Sequence, residues 1–290
     1  GAGGDPTYVE DVFSTYLWRG DGLSGRPISN GIKLGNANTG NSLDFDGATD
    51  GDALTVADFP NFRTNNITVE CWIFPNVTSG AGINTILDSA DNTGFSGAWW
   101  ALHQHNDGFY WGRNGANPIS TSGNLSNNTW YHVAFVRNGN NNNLYLNGTS
   151  IASFTETPYD YTDGGGSETR TISIGRQYNP GSGRQFDGLI SNVRITIGQA
   201  IYTSNFTPST QALKTTSQGA TASNVKLLCC QSSTSPTAAA KSPSGITEIG
   251  TVQPQLFGPF TGTDGEGGMT WIKSRSTGNV NVLFDTERGA

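Results

Sequence analysis

The sequence is poor in charge, in cysteine and in long apolar runs. Only 13% of its 290 residues are charged, with a net charge of −7, against about 25% charged residues in an ordinary globular domain. It has no block of Lys and Arg, which argues against nucleic acid as a partner.

No apolar run approaches the roughly 18 residues of a membrane helix, so no membrane insertion is expected. The cysteines are few and odd in number (Cys71, Cys229 and Cys230), which favours small buried residues over a disulfide framework.

Helical periodicity is almost absent too, while turn-forming and aromatic residues are plentiful. The chain has 39 glycines and seven tryptophans, and aromatic residues make up 10% of it. Glycine, asparagine and serine favour turns, and the aromatic residues are numerous enough to fill a core. This composition is typical of a β-rich extracellular or virion protein.

The strongest hairpin signal lies in residues 130–155. An alternating run over residues 130–137 places Val133 and Phe135 on one face, and an apolar run follows at residues 144–146. Asn147-Gly148 then joins this second run to a third that begins at Ile151. Because both positions of a tight hairpin turn need φ > 0, Asn-Gly between apolar runs predicts antiparallel strands.

Other alternating runs extend the β prediction to the whole chain. Residues 67–74 place Val69 and Cys71 on one face and Glu70 and Trp72 on the other, and residues 189–197 alternate in the same way. Both faces become apolar toward one end, as expected at the centre of two stacked sheets. With about eleven such runs, the sequence predicts an all-β sandwich or jelly roll. Residues 269–273 and 280–285 predict a further strand pair.

Four sequence blocks, in order, resemble the laminin-G-like members of the concanavalin-A-like superfamily. They are residues 42–47 (SLDFDG), 67–73 (ITVECWI), 130–134 with 144–148 (WYHVA, LYLNG) and 186–195 (FDGLISNVRI). The resemblance spans residues 41–213 and implies a jelly roll of two curved antiparallel sheets.

The flanking segments resemble bacteriophage structural proteins, notably those of marine cyanophages. The matching pieces are residues 198–208 (GQAIYTSNFTP), 227–231 (LLCCQ) and 266–275 (EGGMTWIKSR). In such proteins a start like residues 12–32 runs almost directly into the last piece. The resemblance therefore implies that the jelly roll at 41–213 is inserted into a second, incomplete β domain. That domain would be built from 1–40 and 255–290, with a strand and a linker at 214–254, and we expect the chain to be a piece of something longer.

Aromatic residues on two neighbouring strand runs suggest a sugar-binding platform. Trp99, Trp100, Tyr110 and Trp111 could stack on sugar rings, and Tyr159 and Tyr161 lie in a glycine-rich region where we expect them to be exposed. The alternative for the first four is that they fill the core of the jelly roll, since large aromatic residues dominate such cores.

Calcium is the one metal that the acidic loops suggest. The resemblance implies a Ca²⁺ site at a sheet rim, where carboxylates and backbone carbonyls are suitable ligands. Asp46, Asp50 and Asp52 are the preferred candidates. Aspartate also favours turns for local reasons, so the same residues are open to a purely structural interpretation.

Catalytic patterns are missing. The concanavalin-like glucanases carry Glu-x-Asp-x-x-Glu on one strand, and this pattern does not occur here. His103 and His105 could share a face as metal ligands, although a polar strand end explains them as well, and His132 is interpreted as structural. We therefore expect no enzyme.

Together these observations predict a non-enzymatic virion structural protein with a lectin-like jelly roll. It would be tail-associated, part of a fibre or on the capsid surface, and would serve adhesion to cell-surface glycan or contacts with other virion subunits. Because virion proteins act as symmetric assemblies, we expect a homo-oligomer located in the virion. The alternative is a secreted carbohydrate-binding module of a bacterial or eukaryotic protein.

Overall fold

In the part of the chain that the structure describes, the regular structure is almost entirely β-strand. The computed structural model describes residues 41–48, 51–78, 82–89, 99–113, 116–161, 169–177, 184–260, 269–272 and 282–285. In these ranges the only helical element is a single 3-10 turn at Ser217–Gly219. No helix in them has the length and apolarity to cross a membrane. The all-β prediction is confirmed.

Eighteen strands follow one another along the described chain. They are β1 (Ser42–Asp46), β2 (Ala53–Pro60), β3 (Ile67–Pro75), β4 (Ile83–Asp88), β5 (Trp100–His105), β6 (Gly108–Arg113), β7 (Ala116–Ser120), β8 (Tyr131–Asn138), β9 (Asn141–Leu146), β10 (Thr149–Thr155), β11 (Thr169–Ile174), β12 (Asp187–Ile197), β13 (Val225–Cys229), β14 (Ala239–Lys241), β15 (Ile246–Ile249), β16 (Gln253–Gln255), β17 (Met269–Ile272) and β18 (Val282–Asp285).

Sixteen of these strands form two antiparallel sheets. The larger sheet has nine strands in the order β10-β9-β8-β3-β12-β1-β16, with β13 paired to β12 and β14 paired to β13. The smaller sheet has seven, in the order β15-β2-β11-β4-β5-β6-β7. The long strand β12 pairs with β3 along one edge, and its other edge is shared by β1 and β13. This is the two-sheet jelly roll that the sequence predicts.

The hairpin of β9 and β10 shows why local sequence fixes local structure. Asn147 and Gly148 have φ of +48° and +78°, which is the left-handed geometry that a two-residue hairpin turn demands. Leu146 pairs with Thr149 across the turn. The predicted reversal is confirmed, and so is the strand pair of β17 and β18.

The main core lies between the two sheets and follows the alternation of the strands. Val69, Cys71 and Ile73 of β3 point into it, and each is fully buried. Glu70 and Trp72 point to the outer side of the larger sheet. Because side chains of a strand alternate between faces, the core and the outer surface draw on different residues of the same strand.

The outer side of the larger sheet is covered by the chain that follows β12. We call residues 198–224 the covering segment. Its Tyr202 and Phe206 stack on each other and pack against Tyr145 of β9. Its Ile201 donates its backbone N–H to the Thr68 hydroxyl at 2.9 Å. The centre of the larger sheet is therefore buried on both sides.

Of the strand and linker that we expect at 214–254, the strand is present as β13, and the part after it contains strands where we expect a linker. Residues 225–255 form β13 and β14 in the larger sheet, β15 beside β2 in the smaller sheet and β16 beside β1. The strands β14, β15 and β16 are only three or four residues long and carry little hydrophobic signal. They acquire regular structure here because an existing sheet edge pairs with their backbone.

The chain divides into two compact units. The jelly roll occupies Asn38–Phe260, and the second unit combines Gly1–Ala37 with Thr261–Ala290. Of the second unit the structure describes only the hairpin of β17 and β18. The interpretation that residues 1–40 and 255–290 form one split β domain stays a prediction, since most of those residues lie outside the described ranges.

Candidate binding site

The aromatic side chains expected to form one platform lie on opposite faces of the smaller sheet. Trp99 and Trp100 are consecutive and therefore point in opposite directions. Trp100 and Trp111 point into the core, where they are 2% and 0% exposed and their rings stack 5.2 Å apart. Trp111 also stacks on Phe135 of the larger sheet at 3.8 Å. The four residues therefore do not form one platform, and core packing, the alternative interpretation, is confirmed for Trp100 and Trp111.

Tyr161 is buried as well, contrary to the expectation that it is exposed. It is 2% exposed, and its hydroxyl accepts a hydrogen bond from the Trp111 indole N–H at 2.9 Å. Burial raises the pKa of Tyr161 to about 12. Tyr159 is half-buried at the edge of the sandwich, with the Arg113 guanidinium 4.4 Å above its ring. Among the predicted site residues, Tyr161 is thus structural and Tyr159 is at the rim.

Trp99 and Tyr110 face outward from the smaller sheet and lie near polar side chains. His103 of β5 pairs in register with Tyr110 of β6, and their ring centroids are 5.0 Å apart. Trp99 packs on Ala101, which alternation places on the same side as His103. Trp99 and Tyr110 are each 5% exposed. This outer face brings together two of the six predicted aromatic residues.

His103 is held as a neutral group on this face. Its Nδ1 lies 3.0 Å from the hydroxyl of Thr85 on β4, and the side chain is 1% exposed. Burial, with a smaller contribution from the positive charge of Arg184, lowers the pKa of His103 to about 3. An uncharged imidazole can donate one hydrogen bond and accept another, which suits it to a hydroxyl-rich ligand.

The same face continues onto β11, where a serine hydroxyl has no partner. Ser173 pairs in register with Asp88, and both side chains are fully buried. Among the residues that the structure describes, the Oγ of Ser173 has no hydrogen-bond partner. A buried polar group without a partner costs about 1–3 kcal/mol, so such a group calls for an explanation. We call Thr85, Asp88, Trp99, His103, Tyr110 and Ser173 the outer polar face.

The opposite sheet carries a buried charge network that the sequence analysis misses. Glu70 accepts hydrogen bonds from Arg194 Nε at 2.8 Å and from the Tyr202 hydroxyl at 2.7 Å, and its Oε2 lies 3.0 Å from His132 Nε2. Arg194 also donates to the carbonyls of Lys214 and Ser217 in the covering segment. Opposite charges in the middle of two apolar strands are the sequence signal for such a pair.

This network ties the covering segment to the larger sheet. Burial alone would raise the pKa of Glu70, but the charge of Arg194 and the hydrogen bonds from His132 and Tyr202 outweigh it and lower the pKa to about 2. Glu70 and Arg194 are 0% exposed and His132 is 1% exposed. The structural interpretation of His132 accords with this arrangement.

The predicted calcium ligands lie in the loop between β1 and β2. Asp46 Oδ1 accepts hydrogen bonds from the backbone N–H groups of Ala48 and Asp52, and Asp52 Oδ1 accepts one from Thr251. Burial, together with the negative charge of Asp46, raises the pKa of Asp52. Asp50 lies outside the described residues.

Two carboxylates that are already bonded to backbone N–H groups do not by themselves make a calcium site. Within the described ranges, no three His, Cys, Asp or Glu side chains converge as metal ligands. His103 and His105 of β5 both lie against the Tyr110 ring. Among the described residues, no third His, Cys, Asp or Glu side chain joins them as a metal ligand. Calcium binding stays a prediction.

Comparison with solved structures supports the fold. A candidate carbohydrate-binding protein from Bacteroides ovatus shares 16% identity over 75% of this chain and 60% of its own, with a TM-score of 0.52. A native heptameric SAP-like pentraxin from Limulus polyphemus shares 17% identity over 77% of this chain and 97% of its own, with a TM-score of 0.49. At 16% identity the likeness to the Bacteroides protein concerns the fold alone, and this chain spans less than two thirds of that protein's length.

Comparison with sequences gives the family. A comparison with curated protein sequences finds no match. The sequence profile of the concanavalin A-like lectin/glucanases superfamily matches residues 34–197, more than half of the chain. The match covers β1 through β12, which include most of both sheets and all of the outer polar face. The chain therefore belongs to the concanavalin A-like lectin/glucanase superfamily.

Proposed function

We propose that this chain is a non-enzymatic binding protein of a bacteriophage virion. Its lectin-like jelly roll binds cell-surface glycan through the outer polar face, and the rest of its surface contacts neighbouring virion subunits. The observation that carries the glycan-binding part is the outer polar face itself. It holds a buried serine hydroxyl that lacks a partner among the described residues, and an outward tyrosine and a neutral histidine lie on the same side of the sheet.

The chemistry of this face suits a sugar. Sugar hydroxyls both donate and accept hydrogen bonds, and they match the Ser173 hydroxyl, the Tyr110 hydroxyl and the neutral His103 ring. Trp99 adds an apolar surface at the side of the polar groups. Ligand sites commonly combine apolar walls with a small number of polar groups that fix orientation.

The outer polar face is closed to solvent in this conformation. Trp99 and Tyr110 are each 5% exposed, and Ser173 is fully buried. A glycan therefore reaches them only after the face opens. Binding that requires a conformational change associates more slowly than the usual 10⁵–10⁷ M⁻¹s⁻¹ or so, so we expect slow association.

Asp88, Glu70 and Glu156 do not form a hydrolytic pair on the outer polar face, which fits the proposed non-enzymatic role. Hydrolysis of a glycosidic bond needs two carboxyl groups about 5–9.5 Å apart, facing each other across the substrate. Asp88 is the one carboxylate of the outer polar face, and Glu70 lies on the other sheet, ion-paired with Arg194. Glu156, at the rim, is ion-paired with Arg113.

The virion assignment rests on the flanking sequences. Residues 198–208 and 227–231 resemble segments of bacteriophage structural proteins, and in this chain they belong to the covering segment and to the end of β13. They are therefore built into the jelly roll. A virion component works in many copies, so we propose that the chain forms a homo-oligomer.

A secreted carbohydrate-binding module is the second candidate. The observation that favours it is the likeness of the fold to the Bacteroides ovatus protein, which covers 75% of this chain. Both candidates use the same glycan-binding face. They differ in where the protein is found and in what it is attached to.

A glycan array with the full chain tests the binding part. We expect saturable binding to at least one glycan class, and Tyr110→Phe should weaken it at least tenfold. Tyr145→Phe is the matched control, because it removes a tyrosine hydroxyl from the larger sheet and should leave binding unchanged. If no glycan binds saturably, or if both variants lose binding equally, the outer polar face has no such role.

Purified particles test the location. Antibody raised against the full chain should label phage particles in electron micrographs, and the protein should co-sediment with them through a density gradient. Recovery only from cell-free supernatant, in fractions without particles, would favour the secreted module. This outcome is independent of the glycan result.

A further inference from the structure

Two neighbouring cysteines point into the same core, which a regular strand would not allow. Cys229 is the last residue of β13, and Cys230 follows it with φ of +60°. Successive side chains of a strand face opposite sides, but the left-handed conformation of Cys230 breaks this alternation. Both side chains consequently lie in the core cluster between the sheets, at 0% and 1% exposure.

The two sulfur atoms are close together as free thiols. Their Sγ atoms lie 3.6 Å apart. The third cysteine, Cys71 on β3, points into the same core cluster and is also a free thiol. Three thiols thus share one region of the core, with one pair in direct sulfur–sulfur contact.

The turn that carries the pair is held by a network of hydrogen bonds. The Asn192 backbone N–H donates to the Cys230 carbonyl at 3.1 Å. Gln231 Nε2 donates to the Asn192 side-chain oxygen at 2.6 Å and to the Leu213 carbonyl at 2.8 Å, and Asn41 donates to the Gln231 carbonyl. A left-handed non-glycine residue costs about 1–3 kcal/mol and persists only when its surroundings fix it. These contacts therefore hold the two sulfurs together.

We propose that Cys229 and Cys230 are a redox modification site, which closes to a vicinal disulfide in the presence of a low-molecular-weight disulfide such as oxidised glutathione. One thiol loses its proton and attacks the glutathione disulfide, which releases one reduced glutathione and leaves a mixed disulfide. The second thiol then attacks the protein sulfur of that bond and releases the second glutathione. The two cysteines lose two electrons and two protons, and oxidised glutathione gains both.

The disulfide between Cys229 and Cys230 is easily reduced back to two thiols. Cα atoms of consecutive residues are about 3.8 Å apart, whereas disulfides favour about 4.4–6.8 Å. A vicinal disulfide is therefore strained, and strained disulfides are the labile ones. Thiol–disulfide exchange at this pair is slow in the folded state. Burial raises the pKa of the Cys230 thiol, and only the deprotonated thiolate attacks a disulfide.

Peptide mapping of the full chain tests the proposal. The reduced protein is incubated in oxidised and reduced glutathione at a series of ratios, quenched with acid, alkylated and digested with trypsin. Cleavage after Lys226 and Lys241 leaves both cysteines on one peptide, residues 227–241, whereas Cys71 lies on the peptide that ends at Arg113. We expect peptide 227–241 to lose two hydrogen atoms, to resist alkylation, and to revert with dithiothreitol.

Two variants distinguish a disulfide between Cys229 and Cys230 from disulfides that involve Cys71. Cys71→Ser should still form the intrapeptide bond, and Cys230→Ser should not. Two free thiols at every ratio, a cross-link to the Cys71 peptide, or a persistent glutathione adduct on one cysteine would each overturn the proposal. Peptide mapping of the chain without substitutions decides the question by itself, so the test does not depend on the folding of a variant.

Discussion

Glu70 Oε1 lies 2.8 Å from Arg194 Nε in an ion pair that is fully buried in the larger sheet. The two residues are 124 positions apart in the chain and face each other in register on β3 and β12. Arg194 reaches on to two carbonyls of the covering segment. The pair therefore connects the centre of the sheet to the chain that covers it.

Removing the charge of Glu70 should destabilise the protein strongly. Glu70→Gln leaves the Arg194 guanidinium buried without a counter-charge, and breaking such a pair costs about 3–5 kcal/mol of unfolding free energy. Urea denaturation of the variant and the parent gives the difference. Glu156→Gln is the control, because its pair with Arg113 has side chains 19% and 21% exposed and should cost no more than about 1 kcal/mol. Equal losses for the two variants would contradict the assignment.

Stability should fall as the pH drops below neutral, in two stages. The pKa of His103 is about 3 in the folded protein against 6.5 in an unfolded chain. Between these values only the unfolded state binds this proton, so each pH unit of acidification removes roughly 1 kcal/mol. Glu70, with a pKa of about 2 against 4.5, adds a second loss as the pH falls from 4.5 toward 2.

A histidine variant isolates the first stage. His103→Gln should flatten the dependence of the urea midpoint on pH between 6.5 and 4.5, because glutamine does not titrate. His105→Gln, at an exposed position of the same strand, should leave the slope unchanged. A slope that survives in His103→Gln would show that another group causes it.

Gly148 should tolerate no side chain. It has φ of +78°, and a Cβ at this position would collide with the Phe206 carbonyl of the covering segment. Gly148→Ala should therefore lose well over 1 kcal/mol, since backbone has to move. Gly139 has φ of +56° with open space around it, so Gly139→Ala should cost only the conformational penalty of about 1 kcal/mol. Thermal unfolding of both variants measures the contrast.

The unpartnered Ser173 hydroxyl should oppose stability in the ligand-free protein. Ser173→Ala should raise the unfolding free energy by roughly 1 kcal/mol, because the buried hydroxyl makes no hydrogen bond to any described residue. Ser191 is equally buried, but its hydroxyl donates to the Asn41 carbonyl, so Ser191→Ala should lower stability. A stability loss in both variants would show that Ser173 has a partner.

Calcium should stabilise the protein if the loop between β1 and β2 binds it. Burial and the charge of Asp46 raise the pKa of Asp52, and a divalent cation would offset that repulsion. Millimolar Ca²⁺ should then raise the unfolding temperature, and Asp52→Asn should abolish the effect. Asp58→Asn, at an exposed position of β2, is the control. No response to Ca²⁺ in the parent protein would end this hypothesis.

The sequence could predict what depends on neighbours in the chain. The alternation in residues 67–74 assigns Val69, Cys71 and Ile73 to one face, and Asn147-Gly148 marks the turn. Both are confirmed because periodicity and positive φ are local properties. Alternation also requires Trp99 and Trp100 to face opposite sides, although it does not say which of the two enters the core.

The placement of the site residues depended on contacts between distant parts of the chain. Tyr161 is buried because Trp111, 50 residues earlier, donates its N–H to the tyrosine hydroxyl. Ser173 joins His103 and Tyr110 only through the pairing of β11, β4, β5 and β6. No local pattern encodes which strands become neighbours.

The sequence alone determined that this chain is a two-sheet β protein. The strand period, the turn residues and the family blocks can each be recognised in short stretches of neighbouring residues. Only the tertiary structure decided which aromatic rings fill the core, which polar groups share the outer face and which charges are buried together. The reason is that burial and hydrogen bonding are set by strand order and register, and these join residues that lie far apart along the chain.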